Sequence, residues 1–221
     1  MAAGDTEVSI CNKALMVLGA ETITSFTDGS IASDACSSMY TEIKRTTLGM
    51  YPWSFTIAKV QLARDTATPQ NEWTYQYILP SDMLLGVPRA VRVSSASGVA
   101  PYKQWEINQG AAGLPVLMTN ATEIHIDYQK SVNEAEMPSY FVQLLAYQLA
   151  WHLAEVITDQ TTKSEYWRVV ALGNPGEGQR GGFFRQAVHI HGGGQTPSII
   201  ADYNLTDIRG CALYKHTSKL S

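Results

Sequence analysis

The residues best suited to chemistry are a few histidine and carboxylate pairs and the cysteines. His189-Ile190-His191 sets two imidazoles on one face of an extended segment, a spacing that can serve a metal ion. A site needs a third or fourth ligand, no partner motif supplies one, and Gly192 to Gly194 follow directly, so the plain reading is a loop. A small metal-dependent enzyme would have to complete the set with a carboxylate such as Asp202. His152 and Glu155 stand i, i+3 on a helix, the spacing of one half of a di-iron carboxylate site whose other half is missing. A buried or interface histidine satisfied by glutamate is the stronger reading. His125-Ile126-Asp127 alternates in a strand, which turns His125 and Asp127 toward solvent or a neighbouring subunit.

Cys11, Cys36 and Cys211 are odd in number and widely spaced, with no CxxC, which argues against both a disulfide framework and a zinc knuckle. Cys11 and Cys36 fall on apolar helical faces and read as inert core residues. The serines show no GxSxG and the glycines neither GxGxxG nor GxxxxGK[ST]. Nothing here gives a positive reason to call the chain an enzyme, and no catalytic residue, cofactor or metal is assigned.

Composition is that of an ordinary folded chain: 221 residues, 45% hydrophobic and 16% charged. Sixteen basic residues against twenty acidic leave a net charge of −4, with no basic block longer than Lys44-Arg45. That balance does not suit wrapping around nucleic acid. No basic-then-apolar leader and no apolar run near the ~20 residues of a membrane span are present, so folding in a cytoplasm is expected.

The element that must organise the rest is 138–158, PSYFVQLLAYQLAWHLAEVIT. A Pro stands at its first turn, and Phe141, Leu144, Leu145, Leu149, Leu153 and Val156 follow the spacing of a buried helical face. Tyr140, Tyr147, Trp151 and Ile157 carry apolar character around the cylinder, which predicts a central helix. The polar stripe Gln148, His152, Glu155 is left to face water or a partner chain. Helices at 5–18, capped by Asp5 or Thr6 and stopped by Gly19, and at 30–48, capped by Asp28 or Ser30, each show one apolar face to bury on it. A further helix is expected at 160–172, capped by Thr158 or Asp159.

From Ser54 the period changes to two. Phe55 and Ile57 run in one phase and Val60 and Leu62 in the other, which asks for a bulge or a twist near Ala58. Trp73, Tyr75, Tyr77 and Leu79 alternate cleanly. Val87, Val91 and Val93 follow, then weaker runs at 102–107 and 116–118, then Ile124, Ile126 and Tyr128. These predict four to six antiparallel strands, a β lobe over 54–130 inserted between helices. The aromatics Tyr51, Trp53, Phe55, Trp73, Tyr75 and Tyr77 read as a seam between helix and sheet, or in part as rings facing another subunit.

The fold class expected is therefore α+β: about four helices in a bundle, a small antiparallel β lobe, and an extended arm. Nine of the seventeen glycines lie from Gly173 onward, and Phe183, Phe184, Ile199, Ile200, Tyr203 and Leu205 are spaced anchors without a helical stripe. The expected division is 1–172 as the main domain and 173–221 as a Gly-rich arm that binds other chains through those anchors.

The run Ile10-Cys11-Asn12-Lys13-Ala14-Leu15, then Leu18-Gly19-Ala20 and Ile23-Thr24-Ser25-Phe26, then Ala35-Cys36 and Tyr40, then Tyr51-Pro52-Trp53-Ser54-Phe55, resembles the head-to-tail adaptors of short-tailed phages, the tail tubular protein A family. The match spans the first 80 residues, through Trp73-Tyr75-Tyr77 and Leu79-Pro80; beyond them it rests on element order. The resemblance implies a structural virion protein without catalytic residues, assembled in the host cytoplasm and placed in the neck of the tail. It implies a homododecameric ring that contacts the portal protein, the tail nozzle protein and the tail fibres. Double-stranded DNA would pass through its channel without specific binding. The competing readings are the metal-dependent enzyme on His189 and His191, and a monomeric module whose aromatic sheet holds a small ligand.

Overall fold

The structure is a computed structural model that describes residues 4–69, 72–96, 99–110 and 113–194. Five helices and six strands form a mixed α+β fold: α1 Glu7–Leu18, α2 Ile31–Gly49, β1 Ile57–Gln61, β2 Tyr75–Ile78, β3 Ala90–Arg92, β4 Trp105–Gln109, β5 Pro115–Thr119, β6 His125–Gln129, α3 Ser139–Thr158, α4 Thr161–Leu172 and α5 Gly182–Gly193. The chain divides into two units, 1–190 and 191–221; the second is described only for its first four residues, the close of α5. Among the described residues no helix is long and apolar enough to cross a membrane.

Thr6 starts α1 with a reciprocal cap: its hydroxyl accepts from the Ser9 N–H at 3.2 Å, and the Ser9 hydroxyl accepts from the Thr6 N–H at 2.8 Å. Gly19 ends the helix at φ 75°, the left-handed position where a Cβ would be strained. Ser30 caps α2, accepting from the Ser33 N–H. Asp28 closes the turn before it instead, accepting from the backbone and hydroxyl of Thr24 and of Ser25. Those hydrogen bonds, the Thr24 N–H foremost, hold its carboxyl down at about 2. Pro138 is the cap of α3 and not part of its first turn, and Gln160, after a left-handed Asp159, caps α4.

As expected, α3 is the central helix, packed on α1, α2 and α4. Phe141, Leu144, Leu145, Leu149 and Leu153 are fully buried. The polar stripe is divided instead: Gln148 is buried with its amide on the Met50 sulfur at 3.6 Å, while His152 and Glu155 are exposed. The centre of the bundle is Trp53, fully buried, with the rings of Tyr51, Phe55, Tyr140, Phe141 and Phe184 at 5.0 to 6.3 Å between centroids.

The lobe is two three-stranded antiparallel sheets, in the orders β1-β6-β3 and β2-β5-β4. Tyr77, Val91, Leu117, Ile124, Ile126 and Tyr128 form its own core. The bulge expected near Ala58 is absent: β1 pairs with β6 in unbroken register from Ile57↔Gln129 to Gln61↔His125. Phe55 is not in the strand, since 54–56 form a short 3-10 turn, so the two phases never had to be reconciled. The aromatic seam also divides. Tyr51, Trp53 and Phe55 join the helical core, while Tyr75 and Tyr77 join the lobe.

The arm expected from Gly173 is corrected over 173–194. Its glycines make a close-packed turn that leads into α5. The Gly181 N–H donates to the Leu172 carbonyl at 2.8 Å, and Gly182 sits at φ 52° with so little room that a Cβ would lie 2.6 Å from the Gly173 nitrogen. Phe184 and Ala187 then enter the main core. Glycine served close approach there, which sequence statistics cannot tell from looseness.

Candidate functional site

The joint between bundle and lobe is the most highly determined polar region of the molecule. The Gln129 amide, on the last residue of β6, is 3% exposed and donates to the Tyr51 carbonyl at 2.9 Å, the Thr56 hydroxyl at 3.2 Å and the Leu48 carbonyl at 3.3 Å. These acceptors lie at the end of α2 and in the turn before β1, where helix gives way to sheet and backbone carbonyls have no ladder partner. Glu134 stands beside the joint and accepts from Lys44 at 2.6 Å and from the Tyr40 hydroxyl at 3.1 Å. Burial by itself would raise the Glu134 carboxyl; the hydrogen bonds, that of Lys44 foremost, bring it below the usual glutamate value. Burial, then the Glu134 charge, pushes the Tyr40 phenol well up. Tyr128 donates to Asp82 at 3.0 Å, and burial followed by that contact pushes its phenol up to about 12.

The histidines do not gather. His189 and His191 lie on α5 and not on an extended segment. Two residues apart on a helix point to different sides, and accordingly His189 is exposed while His191 is buried. Asp202 lies outside the described residues. Among the described residues there is no group of three or more His, Cys, Asp or Glu placed to hold a metal ion. His125 meets Glu123 at 2.7 Å, and Asp127 is paired with Arg92, all on the outer face of the β1-β6-β3 sheet. The His152 ring lies tilted beside that of Trp151, centroids 4.1 Å apart, in a groove of about 430 Å³ between α2 and α3. Burial lowers its pKa, and the nearby charge that opposes this is Glu42 on α2, not Glu155. Met39, Ile43 and Met50 make the groove floor apolar. No sequence spacing links Glu42 to His152, because they meet only through the packing of α2 on α3.

Of the proposed interface residues, Phe184 is buried on Trp53, and Phe183 packs edge to face on Tyr147 at 5.3 Å. Both therefore belong to the fold of the chain itself. Ile199, Ile200, Tyr203 and Leu205 lie outside the described residues.

The residues of the N-terminal pattern are brought together. The Asn12 amide donates to the Ile23 carbonyl and its oxygen accepts from the Ile23 N–H, both at 2.8 Å, so α1 holds the loop that leads to α2. Leu15 and Leu18 are buried in the core that Trp53 centres. Comparison with protein-family models and with curated proteins found no match for the chain.

Proposed function

We propose that this chain is a structural virion protein, a head-to-tail adaptor that assembles as a ring between the portal and the tail nozzle and extends the DNA channel. The observation that carries the reading is the role of the residues on which the resemblance rests. Asn12 pins a loop, Gly19 supplies a left-handed helix stop, and Trp53 centres a core. A pattern made of such residues specifies a scaffold and carries no reaction, as expected of a part whose task is to present surfaces. The chain's net charge of −4 suits a channel that duplex must leave quickly, since phosphate attraction there would slow its exit.

The attachment role given to the arm moves toward the C-terminus. Phe183 and Phe184 are withdrawn from it, and the contacts to the portal or a neighbouring adaptor fall to the residues after Gly194, with Ile199, Ile200, Tyr203 and Leu205 as anchors.

The test is assembly. The purified chain, mixed with the portal protein of the same virus, is weighed by sedimentation and imaged by negative stain. A ring seated on the portal is expected, and deletion of 195–221 should remove it while leaving thermal unfolding unchanged. A chain that stays at 24.2 kDa beside the portal, or that binds duplex DNA tightly and salt-sensitively, would overturn the proposal.

A further inference from the structure

The groove between α2 and α3 holds a polar group that the fold leaves half used. Gln148 is 3% exposed, and its amide nitrogen donates to the Met50 sulfur at 3.6 Å, a weak acceptor. Its Oε1 accepts no hydrogen bond among the described residues. Among those residues no side-chain oxygen or nitrogen sealed from solvent lacks a partner, so Oε1 is reached from outside, and the groove is the surface that Gln148 lines. His152 stands one turn further along the same face of α3 and lines the groove with Glu42 of α2, which is exposed and in no ion pair among the described residues. Of the residues that line the groove, Glu42 alone carries a fixed charge. We propose that this groove binds a small organic cation, a primary ammonium or guanidinium group carried on an apolar stem.

Each part of such a ligand meets its complement. Met39, Ile43, Met50 and Leu172 give the stem an apolar floor, and the two thioethers can adapt to its shape. The Trp151 indole, half-buried beside them, is the ring type that attracts a cation most strongly. An N–H of the ligand donates to Gln148 Oε1, and its charge faces the Glu42 carboxylate. The groove volume of about 430 Å³ lies within the roughly 300–1,000 Å³ of small-ligand sites. A neutral apolar ligand would cover Oε1 without supplying a donor, and an anion would be repelled by Glu42. The unspent acceptor and the unpaired carboxylate therefore both select a cation that carries N–H donors. Nothing in this inference depends on the adaptor reading.

Phenethylamine is titrated into the purified full-length chain and followed by amide chemical shifts, with phenethyl alcohol and hydrocinnamate as the neutral and anionic counterparts. One saturable site is expected, with shifts centred on 39–50, 148–152 and 172–179. The alcohol should bind roughly tenfold more weakly, and the acid should not saturate. Glu42→Gln, at an exposed position, should weaken the amine to the level of the alcohol, and Glu42→Lys should reverse the preference in favour of the acid. Equal affinity for amine and alcohol, an amine indifferent to Glu42→Gln, or shifts gathered elsewhere would each overturn the proposal. So would a capped Leu-Arg-Leu peptide that binds at least as tightly as the amine, since the occupant would then be a protein segment. Silent groove amides in a chain that sediments as a dimer would do the same, since a second copy would then cover the groove. Because no portal or ring is involved, failure here and failure of the adaptor reading are separate outcomes.

Discussion

The bundle and the lobe solve the same problem at different scales. Among the described residues, twenty-seven buried apolar ones make the helical core and nine make that of the lobe. The bundle's core draws on residues from Ile10 to Ala187 and is built around one large ring system, so its parts must form together. The lobe has strands of three to five residues in two small sheets, and most of its hydrogen bonds join neighbours across short edges. Three short strands with one hydrophobic face are about the least that is stable independently. The lobe therefore borrows stability through Gln129, and it is the region expected to open first.

Trp53→Ala should have the largest effect. Deleting the ring that five others pack on should cost about 3–5 kcal/mol and lower the denaturant midpoint of the whole protein. A change confined to lobe signals would break the distinction drawn between the two cores. Phe184→Ala should follow, at roughly 3 kcal/mol by the same measurement, because α5 closes the bundle. If its stability is instead that of the wild type, the segment 173–194 is an accessory after all.

Ile126→Ala removes a fully buried lobe residue and should cost about 2–4 kcal/mol, but its signature is local. Hydrogen exchange of β2, β5 and β6 amides should accelerate before that of α3. Equal acceleration in α3 would show that lobe and bundle form one cooperative unit. Gln129→Ala should cost about 1–3 kcal/mol, by leaving the Tyr51 and Leu48 carbonyls without their donor, and should loosen the lobe more than the bundle.

The smallest effect concerns pH. Glu134 has a folded pKa below its unfolded one, so its stabilisation is fully present above the usual glutamate value and is lost as pH falls through the lower folded value. Glu134→Gln should flatten the acid limb of the stability curve in that range and leave its slope near neutrality alone. An unchanged acid limb would mean that the Lys44 pairing contributes nothing.

Much of this architecture was legible from periodicity. The spacing of Phe141, Leu145 and Leu149 named the central helix, and the alternation of Ile124, Ile126 and Tyr128 named a strand with one buried face, because repeats of 3.6 and 2 are properties of the local backbone. Caps were less legible. Asp28 and Ser30 both suit a helix start, and only the path of the loop makes Asp28 the turn residue.

Tertiary packing decided the rest. Composition could not tell that Gly181 and Gly182 serve a tight crossing, because the atoms that exclude a Cβ there come from Val170, Gly173 and Glu177. Phe184, Ala187 and Val188 stand at i, i+3 and i+4 on the buried face of α5, a stripe masked by the glycines around it, and its partner Trp53 is far away in sequence. Cys11 and Cys36 were each placed on a buried face, and both enter the one helical core. That core follows from α1 and α2 docking on α3, and distances across such a seam are not encoded in the period of either helix.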